Sequence, residues 1–333
     1  MPVAYLTTKG LKVALTSERL HVTVPTEREG AVPERRYIPL IDLEHVVVDS
    51  GISISTPAVV ELLRKDIPLL FLSQGRFPAG VAVPINHSTT VLGCQLDACR
   101  DGAFRLQQAK KLVCAKINNQ KRVLQRLAAN RQESSLAGPW LNAMENQASA
   151  AQSLDSLRGL EGAAAGRYFE VLGMYFPGEF PFERRSRRPP HNPANSLLSF
   201  VYTLINAEIA MHLRAAGVEP GWGFYHEPED RRPSLALDLL EPFRAPVADA
   251  LVLDLLNHNR FVAEDFDYKD GGCLLRRESR RKVFSAYELR MEREFLHEQQ
   301  GHRTTLRTVL KDHVQQCKRA FLERVDLEPF IMN

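Results

Sequence analysis

Near the amino terminus, polar and apolar positions alternate with period two. Val3, Tyr5 and Thr7 share one side of this pattern, as do Val13 with Leu15, and Leu20 with Val22 and Val24. Alternation rich in β-branched residues predicts half-buried strands, and TSER (16–19) between the last two sets predicts a hairpin. Tyr37–Ile41 and His45–Val48 extend the β-like pattern. In TPAVVELLRKDI (56–67), Thr56 reads as an N-cap and Pro57 as a first-turn proline, so a short helix is expected there. PLLFLS (68–73) and AGVAVPI (79–85) then return to strand.

After HSTT (87–90) the period lengthens. Leu106, Ala109, Val113, Ile117, Leu124 and Leu127 recur mostly at steps of three and four, which predicts one long helix from about Leu92 to Arg131. Lys110, Lys111, Lys116, Lys121, Arg122 and Arg126 are expected to form its basic flank. SSLAGP (134–139) breaks the pattern before helices near 140–153 and 154–176. PGEFPFERRSRRPPHNP (177–193) has too many prolines to be helical throughout and reads as a long basic loop. Asn192-Pro193 opens a helix through Leu198, Val201, Ile205 and Ile209. Ser234 is the expected N-cap of a helix carrying Asp238 and Glu241, which Pro242 should kink or end. A further helix is expected from near Pro246 to about Asn257, a hairpin at DGG (270–272), and two closing helices near 279–299 and 303–325. The fold class expected is α+β: a β-rich N-terminal domain over residues 1–88 and a larger all-α C-terminal domain over 92–333.

Composition narrows the class of protein. A length of 333 residues accommodates two cores, and 44% hydrophobic with 25% charged residues describes an ordinary globular chain. MPVAYLTTKG lacks the basic and apolar regions of a secretory signal, and no apolar run reaches membrane-spanning length, so a cytoplasmic location is expected. Cys94, Cys99, Cys114, Cys273 and Cys317 have no CxxC spacing and read as reduced thiols. The net charge of +3 says little about a polyanionic partner. Its distribution says more, because RRSRR (184–188) and RRESRRK (276–282) are dense in arginine. Such runs are often solvated faces, but arginine forks also match phosphate oxygens.

Candidate chemistry lies in three segments. Glu161 in LRGLEGAAAGRYF (157–169) shares a helical stripe with Leu157, Ala164 and Tyr168, so its carboxylate points into the protein or a cleft. An unpaired buried carboxylate is costly. The glycines and alanines around it let a second backbone or a substrate come close, although an ordinary helix contact would also account for the segment. His226 follows the glycine- and aromatic-rich PGWGFYHE, a composition suited to a fixed loop whose imidazole is oriented by a nearby acceptor; a plain surface pair with neighbouring acids is the alternative. Asp238 and Glu241, at i and i+3, share a helix face, and their repulsion would be relieved by a cation or by Arg244. Glu241 is preferred as a ligand, with Asp238 behind it. Carboxylate oxygen and neutral imidazole together suit Mg²⁺ or Mn²⁺, ions used to break or join phosphodiesters. Glu208 and His212 form a competing i, i+4 pair without a third partner of similar quality and read as an ordinary helix pair. Sugar hydrolysis by paired carboxylates is disfavoured because it gives His226 no role.

Taken together, LRGLEGAAAGRYF, NPANSLLSFVYTLINAEI (192–209) and GFYHEPEDRRPSLALDLLEPFRAPVAD (223–249), supported by QQAKKLVCAKINNQKRVLQR (107–126), resemble the CRISPR-associated spacer-acquisition integrases and endonucleases, the "Cas one" family. The resemblance runs over essentially the whole chain, including the order of β then α. It implies that Glu161, His226 and Glu241 bind Mg²⁺ or Mn²⁺, with Asp238 at an acidic position beside the site. The third ligand is aspartate in some members and glutamate here. It also implies a homodimer formed through the β domain, assembly with a small partner ("Cas two"), and insertion of short DNA fragments into a repeat array. The implied reaction is attack of a fragment's 3′-hydroxyl on a repeat phosphodiester. The helix at 110–126 and the loop at 184–188 are the first candidates to grip DNA backbone. A stand-alone nuclease on branched DNA and a non-catalytic DNA-binding scaffold are the alternatives.

Overall fold

The N-terminal strands form two four-stranded sheets, and the strand expected at Tyr37–Ile41 ends at Pro39, where a 3₁₀ turn at Leu40–Asp42 follows. In the first, β1 (Val3–Leu6), β5 (His45–Val48) and β7 (Leu69–Phe71) run parallel, and β8 (Gly80–Ala82) closes the edge antiparallel to β7. In the second, β4 (Glu34–Pro39), β3 (Arg19–Val24) and β2 (Lys12–Thr16) form an antiparallel meander, with β6 (Ser53–Ile54) pairing parallel to β2. The β2–β3 turn falls within TSER as expected, with Ser17 in the left-handed region at φ 54°. The computed structural model describes residues 3–26, 32–73, 78–85, 88–297 and 301–332.

Compact units divide the chain into Met1–Ser88 with Met211–Gly217, and Thr89–Ala210 with Val218–Asn333. The first has its own apolar core, in which Val13, Leu20, Val22, Val46 and Leu69 from the strands meet Ala58 and Leu62 of α1 (Thr56–Arg64). Burial of the valine and leucine side chains contributes roughly 1.5–3 kcal/mol each. Ser55, one residue earlier than expected, caps α1 by accepting a hydrogen bond from Ala58 N at 3.4 Å.

The second unit is mostly helical. The expected long helix is two: α2 (Thr89–Arg100) and α3 (Gly102–Asn130). Asp101 separates them, its side chain accepting from the backbone N–H groups of Ala103 and Phe104, both at 3.1 Å. An acidic residue at this position satisfies the free donors of a helix start, so it can break an apolar periodicity that runs across it. Next come α4 (Gly138–Ala150), α5 (Leu154–Gly173) and α6 (Pro193–Ala215). Asn192 Oδ1 caps α6 through Asn195 N at 2.8 Å, as its sequence predicted. Among the described residues α6 is the one helix long and apolar enough to cross a membrane, and 67% of its most apolar window is buried inside the protein, as in a core helix.

From Ser234 onward the chain changes helix type repeatedly. α7 (Ser234–Leu240) gives way to a 3₁₀ turn at Glu241–Phe243, a π-turn at Arg244–Asp249 and then α8 (Ala250–Asn257). Pro242 and Pro246 lie in the two irregular turns, and neither can donate to a helical ladder. Ser234 is not the expected cap; its hydroxyl instead donates to Glu227 O at 2.8 Å and ties the preceding loop down.

β9 (Phe266–Lys269) and β10 (Gly272–Leu275) form the hairpin predicted at DGG. The helix expected over 279–299 ends early: α9 is Arg280–Met291, followed by a hairpin of β11 (Glu294–His297) and β12 (His302–Thr305), then α10 (Leu306–Glu323). The part of that expected helix beyond residue 297 lies outside the described residues. The C-terminal part is thus helical with two short hairpins set into it. All five cysteines are free thiols, with Cys99, Cys273 and Cys317 buried.

Candidate active site

α5 carries Glu161 on the stripe its sequence predicts, since Leu157, Ala164 and Tyr168 are all buried. Gly159, Gly162 and Gly166 face open space, with no neighbouring atom within 4 Å of where a Cβ would stand. Packing inside this chain therefore does not require them, and they leave the surface beside Glu161 smooth and accessible.

His226 is held by a loop pinned at every step. Gln95 of α2 donates to the carbonyls of Glu219 and Trp222 at 2.7 and 3.0 Å. Arg105 of α3 donates to Phe224 O at 3.0 Å, and Arg158 of α5 to Tyr225 O at 3.1 Å. Phe224 is fully buried and stacks on Phe321 at 5.0 Å. Glu227 receives Arg105 at 3.1 Å and Arg158 at 2.6 Å, locking the far side. Gly223 has no room for a side chain, because a Cβ would strike Asp238 Oδ2 and stand 3.0 Å from Leu235 N.

Asp238 is the acceptor that the loop's composition implied. It is wholly buried; Oδ2 accepts from Phe224 N at 2.7 Å and Tyr225 N at 2.9 Å, while Oδ1 accepts from His226 N at 2.9 Å. Oδ1 also lies 2.6 Å from His226 Nδ1. An ionised carboxylate can only accept, so Nδ1 carries the proton and Nε2 is left as the basic nitrogen. Nε2 lies 4.0 Å from Glu241 Oε1.

The 3₁₀ turn that presents Glu241 is fixed by Asn119 of α3, whose amide donates to Pro242 O at 2.7 Å and to Phe330 O at 2.9 Å. Glu241 is 4% exposed, and Arg244 Nε lies 3.0 Å from its Oε2. Burial alone would push the Glu241 carboxyl up, but Arg244 and Lys116, with His226, hold it well below the usual carboxylate range. Arg244 is itself seated over the Tyr202 ring at 4.6 Å. Asp249 supports that ring from below by accepting from the hydroxyls of Tyr202 and Tyr168, and burial raises its carboxyl to about 6.

Glu161, His226 and Glu241 thus converge on one cleft of about 330 Å³, and Asp238 stands behind it. Arg158, Arg187, Arg232 and Arg244 also line the cleft. Two carboxylates and one basic imidazole nitrogen facing a basic cleft are a donor set that fits a hard divalent cation. In the competing pair, His212 packs edge-on against His45 with ring centroids 5.7 Å apart, while Glu208 accepts from Arg307 at 2.6 Å and from the Tyr287 hydroxyl at 2.7 Å, and the same arginine also reaches Glu288 and Glu292.

Lys116 is the residue the sequence reading misplaced. Expected on a solvated flank, it is only 8% exposed; its Nζ lies 2.6 Å from Glu241 Oε2 and hydrogen-bonds Glu161 Oε1. Burial opposes its charge, yet Glu241 and Glu161 hold its pKa above that of an ordinary lysine. The signal was present, because Leu112, Val113, Asn119 and Gln120, at i−4, i−3, i+3 and i+4, are all buried. Of the other DNA candidates, Arg187 faces the cleft, whereas Arg185 turns inward to Asn195 Oδ1 at 2.8 Å and Ser199 Oγ at 2.9 Å. Lys121 pairs with Glu145 at 3.1 Å. In the 276–282 cluster, Arg276 and Lys282 pair with Asp267 and Asp265, both at 2.7 Å, which suits a solvated face.

The family profile described as "CRISPR associated protein Cas1" matches residues 4–289. The "CRISPR-associated endonuclease Cas1 3" of Thermus thermophilus is 38% identical over 274 residues, covering 82% of this chain and 80% of the relative. A "CRISPR-associated exonuclease Cas4/endonuclease Cas1 fusion" of Rhodospirillum rubrum is 34% identical over 92% of this chain, which spans only 53% of the fusion. Among solved structures, a "Casposase bound to integration product" has a similar fold, with a TM-score of 0.84 at 22% identity, covering 99% of this chain and 93% of that one. A chain of a "Cas6-RT-Cas1--Cas2 complex" gives a TM-score of 0.77 at 24% identity, covering 99% of this chain and 36% of that one.

Proposed function

This chain belongs to the Cas1 family of CRISPR-associated proteins, and from that premise we propose that it is a metal-dependent DNA integrase and endonuclease of CRISPR adaptation. The observation that carries the reading is the convergence of Glu161, Glu241 and His226 Nε2 in one arginine-lined cleft. The reaction proposed is transesterification. The 3′-hydroxyl oxygen of a short DNA fragment forms a new P–O bond at a repeat phosphodiester and releases its proton to solvent, while the existing bond to the leaving 3′-oxygen breaks and that oxygen takes up a proton from solvent to become a new 3′-hydroxyl.

Glu161, Glu241 and His226 would hold a Mg²⁺ or Mn²⁺ ion, which when bound supplies Lewis-acid stabilisation of the charge that develops on the phosphate. The protein's own residues do the rest. Asp238 fixes the imidazole proton on Nδ1, so that Nε2 faces the cleft without a rotamer or tautomer search. Asn119 and Arg244 hold the Glu241 carboxylate in place. Arg187 and Arg232 offer guanidinium groups to backbone phosphates, contacts that position DNA without reading its bases. Tyr225 remains a neutral phenol, because burial and the carboxylates of Glu161 and Glu241 push its pKa up. The smooth face at Gly159 and Gly162 allows a DNA backbone to approach Glu161 closely.

Assembly as a homodimer through the β-rich domain, and with a small partner of the "Cas two" kind, belongs to the same proposal; the Cas1–Cas2 composition of the similar complex supports the small partner. The test is joining of a labelled oligonucleotide with a free 3′-hydroxyl to a plasmid bearing the repeat. Product that requires divalent ion and the 3′-hydroxyl supports the reading. Absence of product from folded protein supplied with ion and partner refutes it.

A further inference from the structure

The place where the two carboxylates converge contains a cation that belongs to the chain itself. Lys116 Nζ contacts Glu161 Oε1 and lies 2.6 Å from Glu241 Oε2. The lysine reaches them from the buried face of α3, with little freedom to be elsewhere by chance. Charge neutrality at Glu241 does not explain it, because Arg244 already occupies that carboxylate at 3.0 Å. What Lys116 does that Arg244 does not is join Glu241 to Glu161. His226 Nε2, 4.0 Å from Glu241 Oε1, borders the same place.

We propose that Lys116 is a built-in competitor for the divalent ion. Its ammonium holds Glu161 and Glu241 together in the ion-free protein and gives up at least one of them when the ion binds, so that Lys116 sets the metal affinity. This rests on the divalent-ion reading given above. Without the lysine, two carboxylates would face each other in a mostly buried site, which raises the free energy of the ion-free state. A divalent ion relieves that repulsion, so deleting Lys116 should tighten binding. A lysine that served only as a scaffold for the ligands would have the opposite effect, and the sign of the change separates the two.

The experiment is titration of Mn²⁺ into the full-length protein by calorimetry, with wild type, Lys116→Met and Lys116→Arg. Lys116→Met is expected to bind Mn²⁺ at least about tenfold more tightly than wild type, and to show the larger rise in melting temperature on adding it. Lys116→Arg is expected to stay near wild type or bind more weakly. Equal or weaker binding by Lys116→Met, with wild type binding, overturns the inference and leaves the metal reading standing. Failure of folded wild type to bind Mn²⁺ removes both. Should Lys116→Met not fold, reductive methylation of wild type read by mass spectrometry decides: Lys116 should be labelled several-fold faster with Mg²⁺ present, and an unchanged or slower rate overturns the proposal.

Discussion

Asp238 Oδ1 lies 2.6 Å from Nδ1 of His226, and the same carboxylate accepts three backbone N–H groups from residues 224–226. One buried side chain therefore sets both the path of the loop and the protonation pattern of its histidine. In Asp238→Asn, whichever oxygen becomes an amide nitrogen turns a donor toward donors. The expected cost is about 1–3 kcal/mol of stability, with Mn²⁺ affinity or DNA joining reduced roughly 10- to 100-fold. Chemical denaturation and Mn²⁺ titration of the variant check both effects.

Gly223→Ala should fail for a related reason. The new Cβ collides with Asp238 Oδ2 and crowds Leu235 N at 3.0 Å, and both belong to a packed helix start that cannot yield cheaply. A loss of about 1–3 kcal/mol is expected, read by thermal or urea denaturation. In contrast, Gly162→Ala meets open space and should gain up to about 1 kcal/mol through helix propensity.

These two glycines show what could and could not be read in the sequence. Glu161 was legible because a carboxylate at i+4 from Leu157 and i+7 before Tyr168 must share their buried face. Lys116 carries the same signal within α3, but its place among other lysines and arginines disguised it as part of a solvated flank. The break at Asp101 was hidden because the apolar rhythm continues across it, and only the cap chemistry of one side chain divides the helix. The β11–β12 hairpin lies in a stretch dense in charge and without strand-like alternation; Gly301, at φ 70°, was its one local mark. Pairing of β1 with β5 and β7 is set by contacts distant in sequence, which no local pattern encodes.

Two neighbouring arginines should behave differently when replaced. Arg187 is exposed and lines the cleft, so Arg187→Ala should weaken DNA binding and lower the slope of log affinity against log salt by about 1, without loss of stability. Arg185 is bonded to Asn195 and Ser199 and sits over Tyr202 at 5.4 Å. Its removal should lower the melting temperature and leave the salt slope unchanged. Fluorescence anisotropy across a salt series, beside thermal melts, separates them.

His313 predicts the acid limit of the fold. It is 2% exposed, neither ring nitrogen has a hydrogen-bond partner, and burial lowers its pKa to about 4. The unfolded chain, with an ordinary histidine pKa near 6.5, binds the proton more readily, so stability is full above about pH 6.5 and is lost as pH falls toward 4. The loss from this group is on the order of 3 kcal/mol. His313→Phe should flatten that part of the stability–pH curve, as measured by urea denaturation between pH 4 and 7.

The central claim is that Glu161, His226 and Glu241 act together on a phosphodiester. Glu161→Gln keeps the shape of the side chain and removes its charge, so comparison of its strand-joining rate with wild type, at saturating Mg²⁺ and with folding verified, tests the claim most directly. A fall of at least about a hundredfold with DNA affinity preserved is predicted. Joining at the wild-type rate would contradict it.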